Sequence, residues 1–243
     1  MSEKSELEEE EKEAEGDSLD LSCLGTRVAC YGDKKWAKSI FQKAIDAAED
    51  SPDLIQVAEE VAKPDFGDKE WAKCIYMQVI EQIDESEELC LVAVNVADSD
   101  EGLSDQKWAK EIFQKAYEMA KDEAEYKMLE VAECIAKNCD DKKYVKKIFK
   151  EILETAETWD HFYYAADAIV KQYSLGDKKW ARDLYQEALK VCTMDEHYSL
   201  LGKSVASEDG LGDKAWAKEI LHQGLKEYED SEYIKEALSE IGE

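Results

Sequence analysis

The chain has 243 residues and carries 31 Lys and Arg against 59 Asp and Glu, which gives a formal net charge of −28. Such an acidic composition argues against binding to nucleic acid or to an anionic membrane, because phosphates are held by clustered Lys and Arg. The hydrophobic content of 44% predicts a folded chain rather than a wholly disordered one. Composition therefore excludes two classes of partner and identifies none.

Residues 1–17 are far more acidic than the rest of the chain. They contain eight Glu, one Asp and two Lys, and only three apolar residues. A segment with so little apolar surface to bury cannot offset the entropy cost of ordering. We therefore expect residues 1–17 to form a disordered acidic tail, followed by a folded domain over residues 18–243.

The sequence also indicates a compartment. No run approaches the roughly 18 apolar residues that a membrane-spanning helix needs, and the amino terminus lacks the basic and apolar segments of a signal peptide. The seven cysteines are odd in number and include no Cys-x-x-Cys pair. This pattern favours free thiols over a disulfide framework. We expect a cytoplasmic protein.

One segment recurs six times along the chain at nearly constant spacing. Its first copy is GDKKWAKSIF at residues 32–41, and one aromatic residue marks each copy. The spacings between consecutive aromatic residues are 35, 37, 36, 36 and 36. Regular recurrence of this kind indicates a chain built from one structural unit. The marker residues are Trp36, Trp71, Trp108, Tyr144, Trp180 and Trp216.

Each unit carries the pattern of two amphipathic helices. After the Gly-Asp corner, the apolar residues of positions 36–48 follow a period of 3.6, and Asp33 is the predicted N-cap. A second apolar stripe covers positions 54–62, with Ser51 as its predicted cap and Pro52 in the first helical position. No stretch of useful length alternates with period two. The sequence therefore predicts an all-α fold.

The unit resembles the tetratricopeptide repeat (TPR), a pair of helices of about 34 residues. In the first helix the resemblance rests on Leu24-Gly25, and in the second on the series Ala37, Phe41 and Ala44. Small residues let two helices approach closely while an aromatic ring fills the space beside them. In the second helix a Trp precedes the first Ala, and in this feature the unit is similar to the half-a-TPR variant, whose helices also carry aromatic residues.

The resemblance implies a right-handed α-solenoid of about six TPR-like helix pairs over residues 18–243. A helix at residues 231–241 is expected to close it, because the last repeat would otherwise expose an apolar face. The resemblance also implies a groove that binds other proteins and is lined mainly by first helices. Transferred residue by residue, the groove positions are Ile55, Glu59, Lys63, Val94, Asp98, Leu129, Glu133, Lys137, Tyr163, Asp167, Lys171, Ser199 and Lys203.

Lysines recur in this predicted groove and raise the question of a clamp for a C-terminal carboxylate. TPR clamps of that kind use a concentrated set of Lys and Asn. Here an acidic residue usually lies four positions before the lysine, as Glu59 does before Lys63. We therefore expect intrahelical ion pairs in place of a carboxylate clamp.

The aromatic and histidine residues give two further expectations. The repeated tryptophans lie on the apolar stripe and are expected in the core. Trp159 lies outside this series, beside His161, Tyr163 and Tyr164, and this local aromatic cluster is the better candidate for ligand contact. The histidines lack metal-ligand spacing and are expected on the surface, and no cysteine pair completes a zinc pattern. We expect no metal and no cofactor.

No sequence motif points to catalysis, since there is no Gly-rich phosphate loop, nucleophile elbow or His-Glu-x-x-His. The leading hypothesis is a non-catalytic scaffold that binds a protein or peptide with a basic segment through the solenoid surface. The alternative is an acidic immunity or inhibitor protein that mimics nucleic acid and blocks the basic site of a toxin or nuclease. A third interpretation assigns the charge to solubility alone.

Overall fold

A computed structural model describes residues 2–123 and 125–242, apart from the side chain of Glu125. Within these residues the ordered elements are fourteen α-helices, with no strand, so the predicted all-α fold is confirmed. The chain divides into two compact units, Met1–Glu123 and Ala124–Glu243. In each unit the helices pack in sequential pairs, as in an α-solenoid.

The first unit consists of a leading helix and three helix pairs. Each second helix packs on its own first helix, and the first helices of consecutive pairs pack on one another. The helices are α1 (Glu3–Glu13), α2 (Ser18–Tyr31), α3 (Lys34–Ala47), α4 (Ser51–Ala62), α5 (Lys69–Ile80), α6 (Ser86–Ala97) and α7 (Gln106–Ala120).

The second unit consists of three helix pairs and a closing helix. The last helix packs on both helices of the third pair, and the prediction of a closing helix near residues 231–241 is confirmed. The helices are α8 (Glu125–Asn138), α9 (Lys142–Leu153), α10 (Trp159–Val170), α11 (Lys178–Lys190), α12 (Asp195–Ala206), α13 (Lys214–Glu227) and α14 (Glu232–Glu240).

An aspartate caps the second helix of all six pairs. Asp33, which the sequence identified, accepts a hydrogen bond from the backbone N–H of Trp36 at 3.0 Å. The other five caps bind the corresponding aromatic residue in the same way. In α4 the cap is Asp50, which accepts from the Asp53 N–H at 3.1 Å, so the predicted cap at Ser51 is wrong by one residue.

Close contact within the pairs depends on the small residues of the repeat. Ala37, Phe41 and Ala44 are fully buried on α3. A Cβ atom at Gly25 of α2 would lie 2.7 Å from the Phe41 ring, closer than packed carbon atoms come. Gly202 of α12 stands in the same relation to Leu221, at 2.6 Å. The small residues therefore set the distance between the paired helices.

The tryptophans expected in the core are only half-buried, and they lie where consecutive repeats meet. Lys38 of α3 places its ammonium group 4.6 Å from the centre of the Trp71 ring, and the same group pairs with Asp68 at 3.0 Å. Asp68 also caps the helix that begins beside Trp71. We call this three-residue contact between repeats the cation seam. Its other copies are Lys73–Asp105–Trp108, Lys146–Asp177–Trp180 and Arg182–Asp213–Trp216.

The seam keeps its aspartates ionised. A hydrogen bond from the backbone N–H of Trp180, together with the Lys146 ammonium group, holds the pKa of Asp177 below its ordinary value. The pKa of Asp213 is lowered in the same way by the Trp216 N–H and by Arg182. An ionised carboxylate binds both the helix amide and the cation, so one side chain supports two contacts.

Residues 3–13, which the composition placed in a disordered tail, form helix α1 in the structure. Leu7 is 3% exposed, and the Glu11 carboxylate accepts from Trp36 Nε1 at 2.7 Å and from Lys43 Nζ at 2.8 Å. Burial raises the pKa of Glu11, but the hydrogen bonds from Lys43 and Trp36 outweigh it and bring that pKa below its ordinary value. Composition could not reveal these partners, because both lie more than twenty residues away.

The replacement Leu7→Asp tests whether α1 is a docked part of the fold. A buried carboxylate there should detach α1, so its amides and the Trp36 indole N–H should lose protection from hydrogen exchange while α2 remains protected. Glu9→Asp, at an exposed position of the same helix, is the control and should leave protection unchanged. If the α1 amides of the unaltered chain already exchange like an unstructured peptide, residues 1–17 are a tail.

Candidate functional site

The predicted groove residues lie on first helices or directly after them, but about a third of them are buried. Ile55, Leu129, Tyr163 and Ser199 share one position in the repeat and are all buried. Ser199, for example, donates a hydrogen bond to the Tyr233 carbonyl at 3.0 Å. The half-buried or exposed members are Glu59, Lys63, Val94, Asp98, Glu133, Lys137, Asp167, Lys171 and Lys203.

The lysines of the predicted groove are held in ion pairs. The expected intrahelical pairs are confirmed for Lys63 with Glu59 at 3.6 Å, Lys137 with Glu133 at 2.8 Å and Lys171 with Asp167 at 3.6 Å. The hydrogen bond and charge of Glu133 raise the pKa of Lys137. Lys203 pairs with Glu240 of α14 at 2.8 Å. These ammonium groups are therefore neutralised by acids of their own unit.

In the first unit, one buried carboxylate accepts hydrogen bonds from three polar side chains of this surface. Glu60 accepts hydrogen bonds from Thr26 Oγ1 at 2.6 Å, Gln56 Nε2 at 3.1 Å and Lys63 Nζ at 2.6 Å. Burial lowers the pKa of Lys63, but the neighbouring Glu60 outweighs it and raises that pKa. The network joins α2 to α4, so these groups are satisfied internally.

In the second unit, an open cavity of about 610 Å³ lies between α8 and α10. Its lining includes the buried apolar residues Leu129 and Ala168 and three carboxylates, and none of the described lining residues is Lys or Arg. Two tyrosines stand on its walls, Tyr126 with 58% and Tyr164 with 52% of its surface exposed. The lining residues are Tyr126, Leu129, Glu130, Glu133, Thr158, Asp160, His161, Tyr164 and Ala168.

One wall of the cavity is supported by a stack of three rings. Trp159 lies between Tyr163 and His197, with ring centres 4.3 Å and 4.2 Å away and nearly parallel planes. The Tyr163 hydroxyl is 2.9 Å from Ser204 Oγ of α12. Of the aromatic cluster that the sequence indicated, Trp159, His161 and Tyr163 are buried and Tyr164 is exposed. Tyr164 is therefore the member of this cluster that is exposed to solvent at the cavity.

The expectation of surface histidines is wrong for two of the three. His161 and His197 are buried, whereas His222 is exposed. His197 accepts a hydrogen bond at Nδ1 from the Thr193 N–H at 3.3 Å. Burial lowers the pKa of His197 more than the charges of Asp160 and Glu196 raise it. The ring stacked on Trp159 is therefore neutral at pH 7.

The carboxylates of the cavity differ in their surroundings. Glu130 pairs with Lys127 at 3.4 Å, and Glu133 pairs with Lys137. Asp160, in the first turn of α10, is exposed and has no ion pair within the described part of the chain. Among the described residues, the cavity therefore combines one carboxylate without an ion pair with two that are paired with lysines.

The sequence did not identify several of these lining residues. Tyr126, Glu130 and Asp160 lie on helix positions that an amphipathic pattern assigns to solvent. One available signal was Tyr164, a large aromatic residue two positions before the small Ala166. At the equivalent position of the repeat, the first unit has Gln56. Leu91 and Leu200 share this register and are also exposed.

Together the fold and this surface define a helical-repeat protein whose helices pack in adjacent pairs. No protein-family model, curated protein or solved structure matches the chain. Among the described residues, no helix has both the length and the apolar character to cross a membrane. The chemistry of the cavity is therefore the basis for a functional proposal.

The ring stack makes stability depend on pH through His197. The pKa of His197 is lower in the folded chain than the roughly 6.5 of an unfolded histidine. Between the folded and the unfolded pKa, the unfolded state binds more protons than the folded state. The free energy of unfolding therefore falls as the pH drops through about 6.5. His197→Phe keeps an aromatic ring on Trp159 but cannot titrate. Its free energy of unfolding, from urea titrations at about pH 7.5 and about pH 5, should decline less than that of the unaltered chain.

His222→Phe is the matched control, because His222 is exposed. It should show the same decline as the unaltered chain. Equal declines in all three proteins would contradict a buried neutral His197.

Proposed function

We propose that the protein is a cytoplasmic, non-catalytic, TPR-like interaction module that binds a basic segment of another protein through the α8–α10 cavity. The observation that carries this proposal is an open cavity with two exposed tyrosines and three carboxylates, of which Asp160 has no ion pair within the described residues, and with no Lys or Arg among the described lining residues. Complementary charge accelerates encounter and selects among partners, while buried anchors set the affinity. The free-thiol pattern of the cysteines supports the compartment.

The TPR-like assignment is supported by the organisation of the pairs. Each repeat of 35 to 37 residues forms one helix pair, and Gly25 and Gly202 lie at close contacts between the paired helices. First helices of consecutive pairs lie side by side within each unit. Such an arrangement presents a row of first helices to a partner.

The dimensions of the cavity also suit a peptide. Its volume of about 610 Å³ lies within the roughly 300–1,000 Å³ range of ligand sites. Tyr126 and Tyr164 offer large contact areas at a low cost in side-chain entropy, as tyrosines do at many interfaces. A bound segment would bury both tyrosine rings and contact Leu129 in the cavity.

A blocking protein that mimics nucleic acid is less well supported. Such a protein needs rows of carboxylates that are open to the basic groups of a nuclease. The aspartates that the repeat aligns at the cation seams already bind Lys or Arg of the preceding repeat. We therefore favour the interaction module.

Selection from a phage-displayed library of random peptides tests the proposal with the full chain as bait. The selected peptides should combine Lys or Arg with an apolar side chain, and Glu133→Lys should weaken their binding about tenfold or more, since a like charge would line the cavity. Binding is measured by fluorescence anisotropy with the labelled peptides.

Glu187→Lys is the matched control, because Glu187 on α11 pairs with Lys190 at 2.7 Å much as Glu133 pairs with Lys137. It makes the same change in net charge away from the cavity and should have little effect. Selected peptides that lack basic residues, or an equal loss with Glu187→Lys, would refute the proposal.

A further inference from the structure

We infer that the α8–α10 cavity binds an arginine side chain of the partner, with its guanidinium group between the Asp160 carboxylate and the Tyr164 ring. This inference rests on the proposed function and specifies the chemistry that the site recognises. It follows from a comparison of the cavity with the cation seams of the same protein.

The cation seams show how this chain holds a cation. In each seam an Asp lies one helical turn before an aromatic residue, and a cation from the neighbouring repeat binds both. In one copy the cation is the guanidinium group of Arg182, which pairs with Asp213 and lies 4.7 Å from the centre of the Trp216 ring. The recurring element is thus a carboxylate beside an aromatic ring on one helix.

Asp160 and Tyr164 form a related acid–aromatic pair on α10, where the two residues are four apart within the helix, whereas a seam aspartate is the N-cap three residues before its ring. Residues four apart lie on one face of a helix, so the carboxylate and the ring are neighbours on the wall of the cavity. Within the described residues, neither side chain has a Lys or Arg bound to it. This acid–aromatic pair is therefore open to a cation from outside.

The Tyr164 ring is held in place for such a contact. Tyr163 packs against it edge to face at 5.1 Å, and Trp159 does so at 6.4 Å. Tyr163 and Trp159 belong to the ring stack that His197 completes. The Tyr164 side chain keeps 52% of its surface exposed. A cation over this ring would thus meet a surface that is already ordered.

The opposite wall favours arginine over lysine. Glu130 on α8, which also pairs with Lys127 of the same helix at 3.4 Å, supplies a second carboxylate, and Tyr126 adds apolar surface for the methylene stem. A guanidinium group has five donors in one plane and is weakly hydrated, so it can bind carboxylates at its edge and stack on a ring with its face. An ammonium group offers only a point charge and loses more hydration energy on entering the cavity.

Three short peptides test this assignment on the full chain. They are acetyl-Gly-Gly-Arg-Gly-Gly-amide and the same peptide with lysine or with citrulline, the neutral isostere of arginine. Binding is followed by amide chemical shifts at roughly physiological salt, which screens diffuse attraction to the acidic surface. The arginine peptide should bind most tightly, with shifts concentrated at α8 and α10, and the citrulline peptide should bind least.

Two pairs of variants assign the contacts. Asp160→Asn and Tyr164→Leu should each weaken arginine-peptide binding by about 2- to 30-fold, the range of a partly desolvated cation–π contact. Their controls are Asp183→Asn and Tyr233→Leu, which make the same changes at exposed positions of α11 and α14 and should leave binding unchanged.

Several outcomes would overturn the assignment. They are equal affinities for arginine and citrulline, shifts spread over the whole acidic surface, or equal losses in the cavity variants and their controls. If library selection yields basic peptides that Glu133→Lys weakens while Asp160→Asn does not, the interaction function stands and the arginine site falls. If selection yields no basic peptides, the proposed function itself fails.

Discussion

The cation seam is the contact on which the repeat depends. One aspartate caps a helix, binds a cation from the preceding repeat and holds that cation against a tryptophan. The two partners of the ion pair lie 30 to 32 residues apart in the seams described above, so a seam forms only when the repeat keeps its length. Each exposed ion pair alone contributes little, about 0–1 kcal/mol, but the ring contact and the helix cap depend on the same side chains.

The seam also explains why so acidic a chain forms compact units. The net charge of −28 is a sum over side chains with distinct surroundings. Aspartates at the seams bind cations of the neighbouring repeat, and Glu10 and Glu11 of α1 bind Arg27 and Lys43. Several acids thus act inside the fold, whereas Asp160 in the cavity is exposed and has no ion pair among the described residues.

Much of the fold could be predicted because it depends on local pattern. The recurring Gly-Asp-aromatic element located the six second helices, and the apolar stripes located the first helices. The register of the groove was harder, because the exposure of Ile55 or Tyr163 depends on how closely neighbouring first helices pack. Periodicity defines the faces of a helix but not which face the next repeat covers.

The remaining differences have physical causes of the same kind. Helix α1 is held by Trp36 and Lys43, which no composition of residues 1–17 could reveal. The tryptophans are half-buried at contacts between repeats, and in the seams a cation of the neighbouring repeat packs over the ring. The cavity arises from the space between α8 and α10, where Tyr126, Glu130 and Asp160 are ordinary solvent-facing residues by sequence.

A double-mutant cycle on Arg182 and Trp216 measures the seam most directly. Arg182→Met removes the charge and keeps an unbranched apolar stem, and Trp216→Leu removes the ring. Free energies of unfolding of the two single variants and the double variant give the coupling between the residues. A favourable coupling of about 0.5–2 kcal/mol is expected from a cation held over a ring. Additive effects, within about 0.3 kcal/mol, would contradict the seam as the contact that joins consecutive repeats.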